Sequence, residues 1–424
     1  MKPRLPLLCV ILALAAATLR ANQPPNLVFK DNDRVAFIGA TFVERETAAG
    51  YIETLFTAHS PASNVTFRNL GYSGDTVTGE ARGLCTGWST FEPPEKAFER
   101  LRKLVAEFKP TVLVVNYGMT ESFAGPGKIA EFTADYKKTL DQLTNAAGGQ
   151  PRVVLLSPNY HEDLGRPLPD PSEHNKNLKL YAAAVSDLAS KHGYFYVDLF
   201  AVTEAAAKAA PAEPLTSNGI HLTPYGYWRT ALALEQATSA QPGQWRVEIQ
   251  ADAATSNDHG TQLRPHGISP THVSFEATDT WSVISPPPTG SPKQVLDGTE
   301  AIPGTQRILK VAGLKPGTYE LKAGNEMLAK ATGDQWAKGV SIKPPSSEVE
   351  RVEKLRKLIV AKNFDYFNYQ RPENDSYILA FRKGEQGRNA VEIPQFLPLV
   401  EQKEQEIAKL RIPQPVSYTL EPAK

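Results

Sequence analysis

The chain has 424 residues, of which 41% are hydrophobic and 22% charged, so it is long enough for two or three domains and too apolar for a disordered protein. Lysine plus arginine equals aspartate plus glutamate at 46 each, which excludes the basic field of a typical nucleic-acid-binding protein. The two cysteines, Cys9 and Cys85, give no basis for a disulfide framework.

The N-terminus has the pattern of a secretory signal peptide over residues 1–21. Lys2 and Arg4 precede an apolar run at 5–19, and small residues follow. The run is short for a membrane span. We therefore expect an exported protein, periplasmic or extracellular, with no membrane span after cleavage; an uncleaved anchor is the alternative.

Residues 30–240 alternate between strand and helix patterns, which predicts a parallel sheet with helices on both faces. Glycines Gly39, Gly71 and Gly118 come at the ends of three apolar strand patterns. Ligands of such sheets bind at the carboxyl ends of the strands. The neighbours of these glycines should therefore meet in space. The predicted strands are 34–39, 65–71, 111–118, 152–157 and 194–199, and the predicted helices before the last loop are 42–58, 93–108, 128–147 and 175–192.

After residue 241 the pattern changes. Residues 245–343 contain short apolar runs separated by proline and glycine turns, which indicates a small β-rich module. Residues 346–424 contain charged amphipathic patterns at 346–362 and 398–410. We expect a C-terminal helical segment that packs back on the α/β domain.

Four loops carry residues suited to ester chemistry. Thr41 follows the first strand and opens a helix, where a hydroxyl can act as a nucleophile or simply cap the helix. Gly74 could present its N–H to an oxyanion, or belong to an ordinary turn. The third loop contains Thr120, and the fourth places His221 just before the last helix, either as a general base or as a residue with a local hydrogen bond.

In this order and spacing, the four loops resemble the four sequence blocks of the SGNH, or GDSL-like, hydrolases. The resemblance covers residues 30–240 and implies a three-layer, flavodoxin-like α/β domain that hydrolyses esters without a cofactor or metal. It rests on Gly39-Ala40-Thr41, Ser73-Gly74-Asp75-Thr76, Gly118-Met119-Thr120-Glu121 and Asn218-Gly219-Ile220-His221. The C-terminal residues 371–374, 381–387 and 392–396 also look like those of large exported SGNH-type proteins of planctomycete-like bacteria.

The resemblance implies a role for each block residue. Thr41 stands at the nucleophile, and His221 is the general base and acid, oriented by Asn218. The N–H groups of Gly74 and Thr41, with the hydroxyl of Thr120, would form the oxyanion site.

Three of these residues differ from the family pattern. Thr41 replaces serine, Thr120 replaces asparagine, and Asn218 replaces aspartate. Asparagine can orient a histidine but cannot stabilise an imidazolium by charge. A replacement carboxylate could come from Glu121, Asp198 or Glu213.

Weaker patterns complete the set of candidate residues. Glu121, Arg371 and Asn374 are candidates for substrate binding, although a structural lid is the favoured role for the segment containing Arg371 and Asn374. Residues 161–163, His-Glu-Asp, could bind a metal, but an exposed loop is the favoured interpretation.

The sequence therefore predicts an exported esterase acting on small-molecule or polysaccharide esters, with acyl groups on carbohydrate as the expected substrates. The alternative is a catalytically impaired relative that binds carbohydrate or cell wall. The three substitutions favour the alternative, whereas Gly74 and the His221 loop favour the enzyme.

Overall fold

The structure is a computed structural model, and it describes residues 28–84, 86–87, 90–209, 213–238, 245–292, 295, 306–372, 375–383, 385 and 389–423. The predicted signal peptide, Cys85 and Asn374 lie outside these residues. Within them, no helix combines the length and the apolar character needed to cross a membrane.

The N-terminal half is a three-layer α/β domain. Its parallel sheet has the strand order β2-β1-β3-β4-β5, which is the flavodoxin-like order. The predicted fold class is confirmed. The strands are β1 (Arg34–Gly39), β2 (Thr66–Asn69), β3 (Val112–Asn116), β4 (Arg152–Leu156) and β5 (Phe195–Val197), and the helices are α1 (Thr41–Ala49), α2 (Tyr51–Ala58), α3 (Pro94–Phe108), α4 (Ile129–Ala146), α5 (Ser172–His192), α6 (Leu199–Ala209) and α7 (Pro224–Thr238).

Alternate residues of β1 enter two separate cores, as the two-residue period of a strand requires. Val35 and Phe37 pack beneath α1, α2 and α7. Ala36 and Ile38 pack beneath α3, α4 and α5. Because the sheet is covered on both faces, its carboxyl edge is the part left open for a ligand.

The single helix predicted over 42–58 is two helices. Gly50 ends α1 with a φ of 65°, a left-handed conformation that glycine adopts without strain. A Cβ at this position would lie 2.6 Å from Val360 in the C-terminal segment. The break therefore also makes room for a later part of the chain.

The β-rich module is a pair of sheets around one apolar core. The four-stranded sheet has the order β13-β10-β6-β7 and the five-stranded sheet the order β12-β11-β14-β9-β8. The elements are β6 (Trp245–Gln250), β7 (Thr255–His259), β8 (Thr261–Ser269), β9 (His272–Asp279), β10 (Arg307–Ala312), β11 (Thr318–Ala323), β12 (Glu326–Thr332), α8 (Gly333–Lys338), β13 (Val340–Ser341) and, at the end of the chain, β14 (Val416–Pro422).

Strand β14 differs from the sequence analysis, which assigned all of 346–424 to a helical segment. It pairs with β9 and β11 in the centre of the five-stranded sheet. The chain therefore leaves the β-module, crosses the α/β domain and returns to complete the module.

The crossing is made by helices α9 (Ser346–Gln370), α10 (Asp375–Ile378) and α11 (Phe396–Leu410). Helix α9 packs against α1, α2, β2 and α11. Its Lys362 Nζ lies 2.6 Å from Glu53 Oε1, and both side chains are almost fully buried. A buried ion pair thus joins the C-terminal helix to the α/β domain.

Candidate active site

Thr41 is the first residue of α1, directly after β1. The chain turns there against β3, so that a Cβ on Gly39 would lie 2.3 Å from the carbonyl oxygen of Asn116. Only glycine fits this approach. The turn leaves the Thr41 hydroxyl at a helix N-terminus, where free backbone N–H groups stabilise negative charge.

The predicted oxyanion glycine lies beside this hydroxyl. The Gly74 N–H donates to Thr41 Oγ1 at 3.0 Å. Gly74 has a φ of 73°, and a Cβ there would meet nothing within 4 Å, so the residue faces open space. Thr41 and Gly74 therefore meet as the glycine-ended strands predict.

Asn69 joins the Gly74 loop to α1 by hydrogen bonds. Its amide donates to the Val43 carbonyl in α1 at 2.6 Å, and its Oδ1 accepts the Gly71 N–H at 2.9 Å. The side chain is buried. Asn69 therefore fixes the distance between α1 and the loop that carries Gly74.

Arg371 also contacts both α1 and the Gly74 loop. Its Nη1 donates to Glu44 in α1 at 2.8 Å, and its Cζ lies 3.7 Å from the ring centroid of Tyr72. Glu44 also accepts the N–H of Ser73. The guanidinium predicted to bind substrate is thus occupied in bracing the loop of Gly74.

The third loop contains Thr120 and Glu121. Thr120 begins a short 3₁₀ turn and makes no side-chain capping bond to it. The Glu121 carboxylate accepts the N–H of Val77 and the N–H of Gly118, both at 2.9 Å. Burial, the largest influence, raises the pKa of Glu121 to about 7. Glu121 thereby joins the second and third loops.

The fourth loop brings Asn218 and His221 together. Asn218 Nδ2 lies 3.1 Å from His221 Nδ1. Asn218 Oδ1 accepts the backbone N–H of His221 at 3.0 Å and of Ile220 at 3.3 Å. The predicted orienting contact is therefore present as a hydrogen bond.

This arrangement fixes the tautomer of the imidazole. Because Asn218 Oδ1 is occupied by backbone donors, its NH₂ group faces His221 and must donate to Nδ1. A neutral imidazole that accepts at Nδ1 carries its proton on Nε2. A general base needs the opposite tautomer, with Nε2 free.

His221 is neutral near pH 7. Burial and the nearby positive charge of Arg45 lower its pKa. Among the described residues, no hydrogen bond joins His221 to Thr41 or to any carboxylate. Of the carboxylates considered as replacements, Asp198 accepts bonds from Ser157 and Ala201 instead.

The comparisons with known proteins agree with this geometry. Residues 37–229, which contain all four loops, match the model of the GDSL-like lipase/acylhydrolase family. Residues 37–229 therefore form a GDSL-like domain within the chain. No curated protein sequence gives a significant match.

Three solved structures match the chain at low identity, and the first of them shares its fold. The gut microbial diltiazem-metabolizing enzyme BT4096 is 16% identical, with a TM-score of 0.70 over 95% of this chain and 100% of that chain. A GDSL-like lipase from Parabacteroides merdae is 17% identical, with a TM-score of 0.41 over 50% and 99% of the two chains. A mutant of the acetylxylan esterase Axe2 from Geobacillus stearothermophilus is 18% identical, with a TM-score of 0.38 over 51% and 98%.

In this GDSL-like domain the His221 loop is held by Glu162, a residue that the sequence analysis placed in an exposed loop. Its carboxylate accepts the N–H groups of Leu215 at 3.1 Å and Thr216 at 2.8 Å, and its own N–H donates to the Gly219 carbonyl at 2.7 Å. Because Glu162 is occupied in this way, the metal hypothesis for 161–163 has no support. The described residues contain no group of three or more ligand side chains arranged for a metal ion.

His161 lies beneath the same loop and is 7% exposed, contrary to the exposed-loop interpretation. A Cβ on Gly219 would lie 2.7 Å from its Nε2. His161 Nδ1 lies 2.9 Å from His174 Nδ1 in α5, and His174 Nε2 lies 2.7 Å from Ser122 Oγ. A Ser–His–His series of hydrogen bonds thus supports the His221 loop, and no sequence spacing indicated it.

The hydrogen bonds of Ser122, His174 and His161 determine which ring nitrogens carry protons. Ser122 donates its only O–H to the Met119 carbonyl at 2.8 Å, so it accepts from His174 Nε2. His174 Nδ1 must then accept the proton of His161 Nδ1. Both imidazoles are neutral in this arrangement, and protonating His174 at Nδ1 would break the contact between them.

The histidine pair predicts acid sensitivity. Burial, together with the charge of His161, lowers the pKa of His174 to about 4 from its ordinary value of 6.5. The unfolded chain therefore binds this proton first as pH falls, and the unfolding free energy should decrease between pH 6.5 and 4. His174→Gln should lessen that decrease, as measured by urea unfolding at several pH values.

His272→Gln, at an exposed position in β9, is the matched control and should leave the pH dependence as in wild type. An equally steep acid loss in His174→Gln would contradict the assignment of the pair.

Proposed function

We propose that this GDSL-like protein hydrolyses carboxylic esters, with Thr41 as nucleophile and His221 as general base and acid. The observation that carries the proposal is the 3.0 Å hydrogen bond between the Gly74 N–H and Thr41 Oγ1 at the N-terminus of α1. A nucleophile and an oxyanion donor side by side are what acyl transfer requires.

In the first half-reaction, the proton of His221 first moves from Nε2 to Nδ1, which breaks the bond from the Asn218 amide. Thr41 Oγ1 then forms a bond to the ester carbonyl carbon while its proton passes to the freed Nε2 of His221. The carbonyl oxygen gains the negative charge and accepts from the N–H groups of Gly74 and Thr41, with the Thr120 hydroxyl as a further donor. Collapse breaks the bond to the alcohol, whose oxygen takes the proton from His221. In the second half-reaction, a water oxygen forms a bond to the acyl carbon while the water proton passes to His221 Nε2. Collapse of this second intermediate breaks the bond to Thr41 Oγ1, which takes the proton back from His221, and the carboxylic acid leaves.

Two residues make this reaction slow. The methyl group of Thr41 crowds the tetrahedral intermediate. Asn218 holds the proton of His221 on Nε2, and it supplies no negative charge to the imidazolium. The site can therefore bind and position an ester better than it can activate the hydroxyl.

For the substrate, we propose acyl groups on carbohydrate. The support is the family, whose members often act on such esters, and a cavity of about 680 Å³ beside the His221 loop, within the size range of ligand sites. We also propose export, on the charged and apolar pattern of residues 1–21. The N-terminal residue of the protein recovered from its host is the check, and an intact Met1 would refute export.

Thr41→Ser should raise turnover of an aryl acetate. The added methyl of threonine forces the intermediate away from a staggered geometry at a cost of about 0.5–1.5 kcal/mol, so the gain should be roughly two- to tenfold. Steady-state kinetics measure the effect.

Thr41→Val keeps the shape of the side chain without its hydroxyl and should abolish turnover, as should His221→Ala. Hydrolysis that persists unchanged in both variants would refute the assigned roles. Binding of a glycan without turnover, in wild type and Thr41→Ser alike, would indicate the impaired relative instead.

A further inference from the structure

A groove runs from the catalytic loop along the junction of the three parts of the chain. Leu222 and Pro224, one and three residues after His221, are among the residues that line it. Arg45 and Ala48 of α1, the prolines at 286–288 and the α9 pair Glu353 and Arg356 line the rest. The groove therefore exists only when the α/β domain, the segment after β9 and the C-terminal helix are assembled.

The proposed reaction gives the groove a place beside the leaving group. The general acid His221 must reach the alcohol oxygen, so the alcohol leaves beside the His221 loop. Leu222 and Pro224 come from that loop and open directly into the groove. A large alcohol portion, such as a sugar chain, would therefore extend along it.

One positive charge in the groove is unmatched. The Arg356 guanidinium is neutralised by Glu353 at 2.7 Å, donates to the Ala49 carbonyl at 2.9 Å and lies over the Tyr51 ring. Arg45 is exposed, and within the described ranges no acidic side chain pairs with it. A ligand in the groove thus meets one free guanidinium close to the catalytic histidine.

We propose that this groove binds the alcohol portion of the substrate as an acidic oligosaccharide, and that Arg45 recognises a carboxylate on it. The inference rests on the proposed esterase function for its orientation. A guanidinium matches the planar geometry of a carboxylate with two parallel N–H···O bonds, which a neutral sugar cannot offer. Arg45 therefore selects esters of uronic-acid-type sugars over neutral ones.

Binding of the deacylated product tests the groove without any turnover. Calorimetry should show that trigalacturonate binds wild-type protein about tenfold more tightly than xylotriose, as expected for one partly exposed charge-assisted pair. Arg45→Gln should remove this preference. Ala48→Trp, at an exposed groove position, should weaken both ligands by filling the groove.

Arg102→Gln is the matched control, because Arg102 is an exposed arginine on α3, outside the groove. It should keep the wild-type preference. Equal binding of both trisaccharides by wild type, or a preference unchanged in Arg45→Gln, would overturn the assignment.

Comparing the hydrolysis of a charged and an uncharged ester tests the role of Arg45 separately from the esterase reaction itself. The kcat/KM ratio of 4-acetoxybenzoate to its methyl ester, which lacks the charge, should fall about tenfold in Arg45→Gln. If neither ester is hydrolysed while the calorimetric preference still depends on Arg45, the esterase function fails and the groove assignment stands.

Discussion

Replacing Asn218 by aspartate should raise the turnover of aryl acetates by on the order of 10³-fold, approaching the effect of the reverse change in a serine protease. One carboxylate oxygen can keep the backbone bonds from Ile220 and His221, while the other accepts a proton from His221 Nδ1. Nε2 is then free to take the Thr41 proton, and the imidazolium that forms has a negative partner.

Ser217→Asp is the matched control, because it adds the same charge to the same loop at an exposed position. It should leave kcat within a few-fold of wild type. The double variant Thr41→Ser/Asn218→Asp should not be additive, since both changes act on one proton transfer. Equal turnover in wild type and Asn218→Asp would show that the tautomer of His221 does not limit the reaction.

Replacing Lys362 by methionine should destabilise the protein by about 3–5 kcal/mol. The side chain is 1% exposed and its Nζ donates to Glu53 at 2.6 Å and to the Phe67 carbonyl at 3.1 Å. Methionine fills a similar volume but leaves the Glu53 carboxylate buried with Asn363 as its remaining side-chain donor. An uncompensated buried charge costs far more than the lost contact area.

Urea unfolding followed by circular dichroism measures this loss. Lys357→Met is the control, because that side chain is 72% exposed and lies 3.9 Å from its partner Glu353; its effect should stay within about 0.5 kcal/mol. Glu53→Leu/Lys362→Met should recover part of the stability by removing both charges. A Lys362→Met protein as stable as the Lys357→Met control would show that the pair does not hold α9 in place.

The sequence predicted the α/β domain well because its signals are local. Buried parallel strands are continuous apolar runs, and glycines mark the tight turns after them. Gly39 and Gly74 could be assigned to the site because their chemistry depends on the backbone at those positions. The meeting of Thr41 with Gly74 follows from neighbouring parallel strands that end at one edge.

What the sequence did not predict depends on contacts between distant residues. Strand β14 has no local feature that assigns it to a sheet built more than ninety residues earlier at β11. The bond between His161 and His174 joins a loop to a helix. The orientation of the Asn218 amide is fixed by two backbone donors, which only the folded loop provides.

Covalent labelling tests most directly whether Thr41 is the nucleophile. An alkyl fluorophosphonate forms a bond to an activated hydroxyl oxygen as fluoride leaves, and peptide mass spectrometry locates the label. We expect the label on Thr41, faster labelling in Asn218→Asp than in wild type, and none in Thr41→Val. A label on Ser122 or another residue, or undiminished labelling in Thr41→Val, would contradict the account.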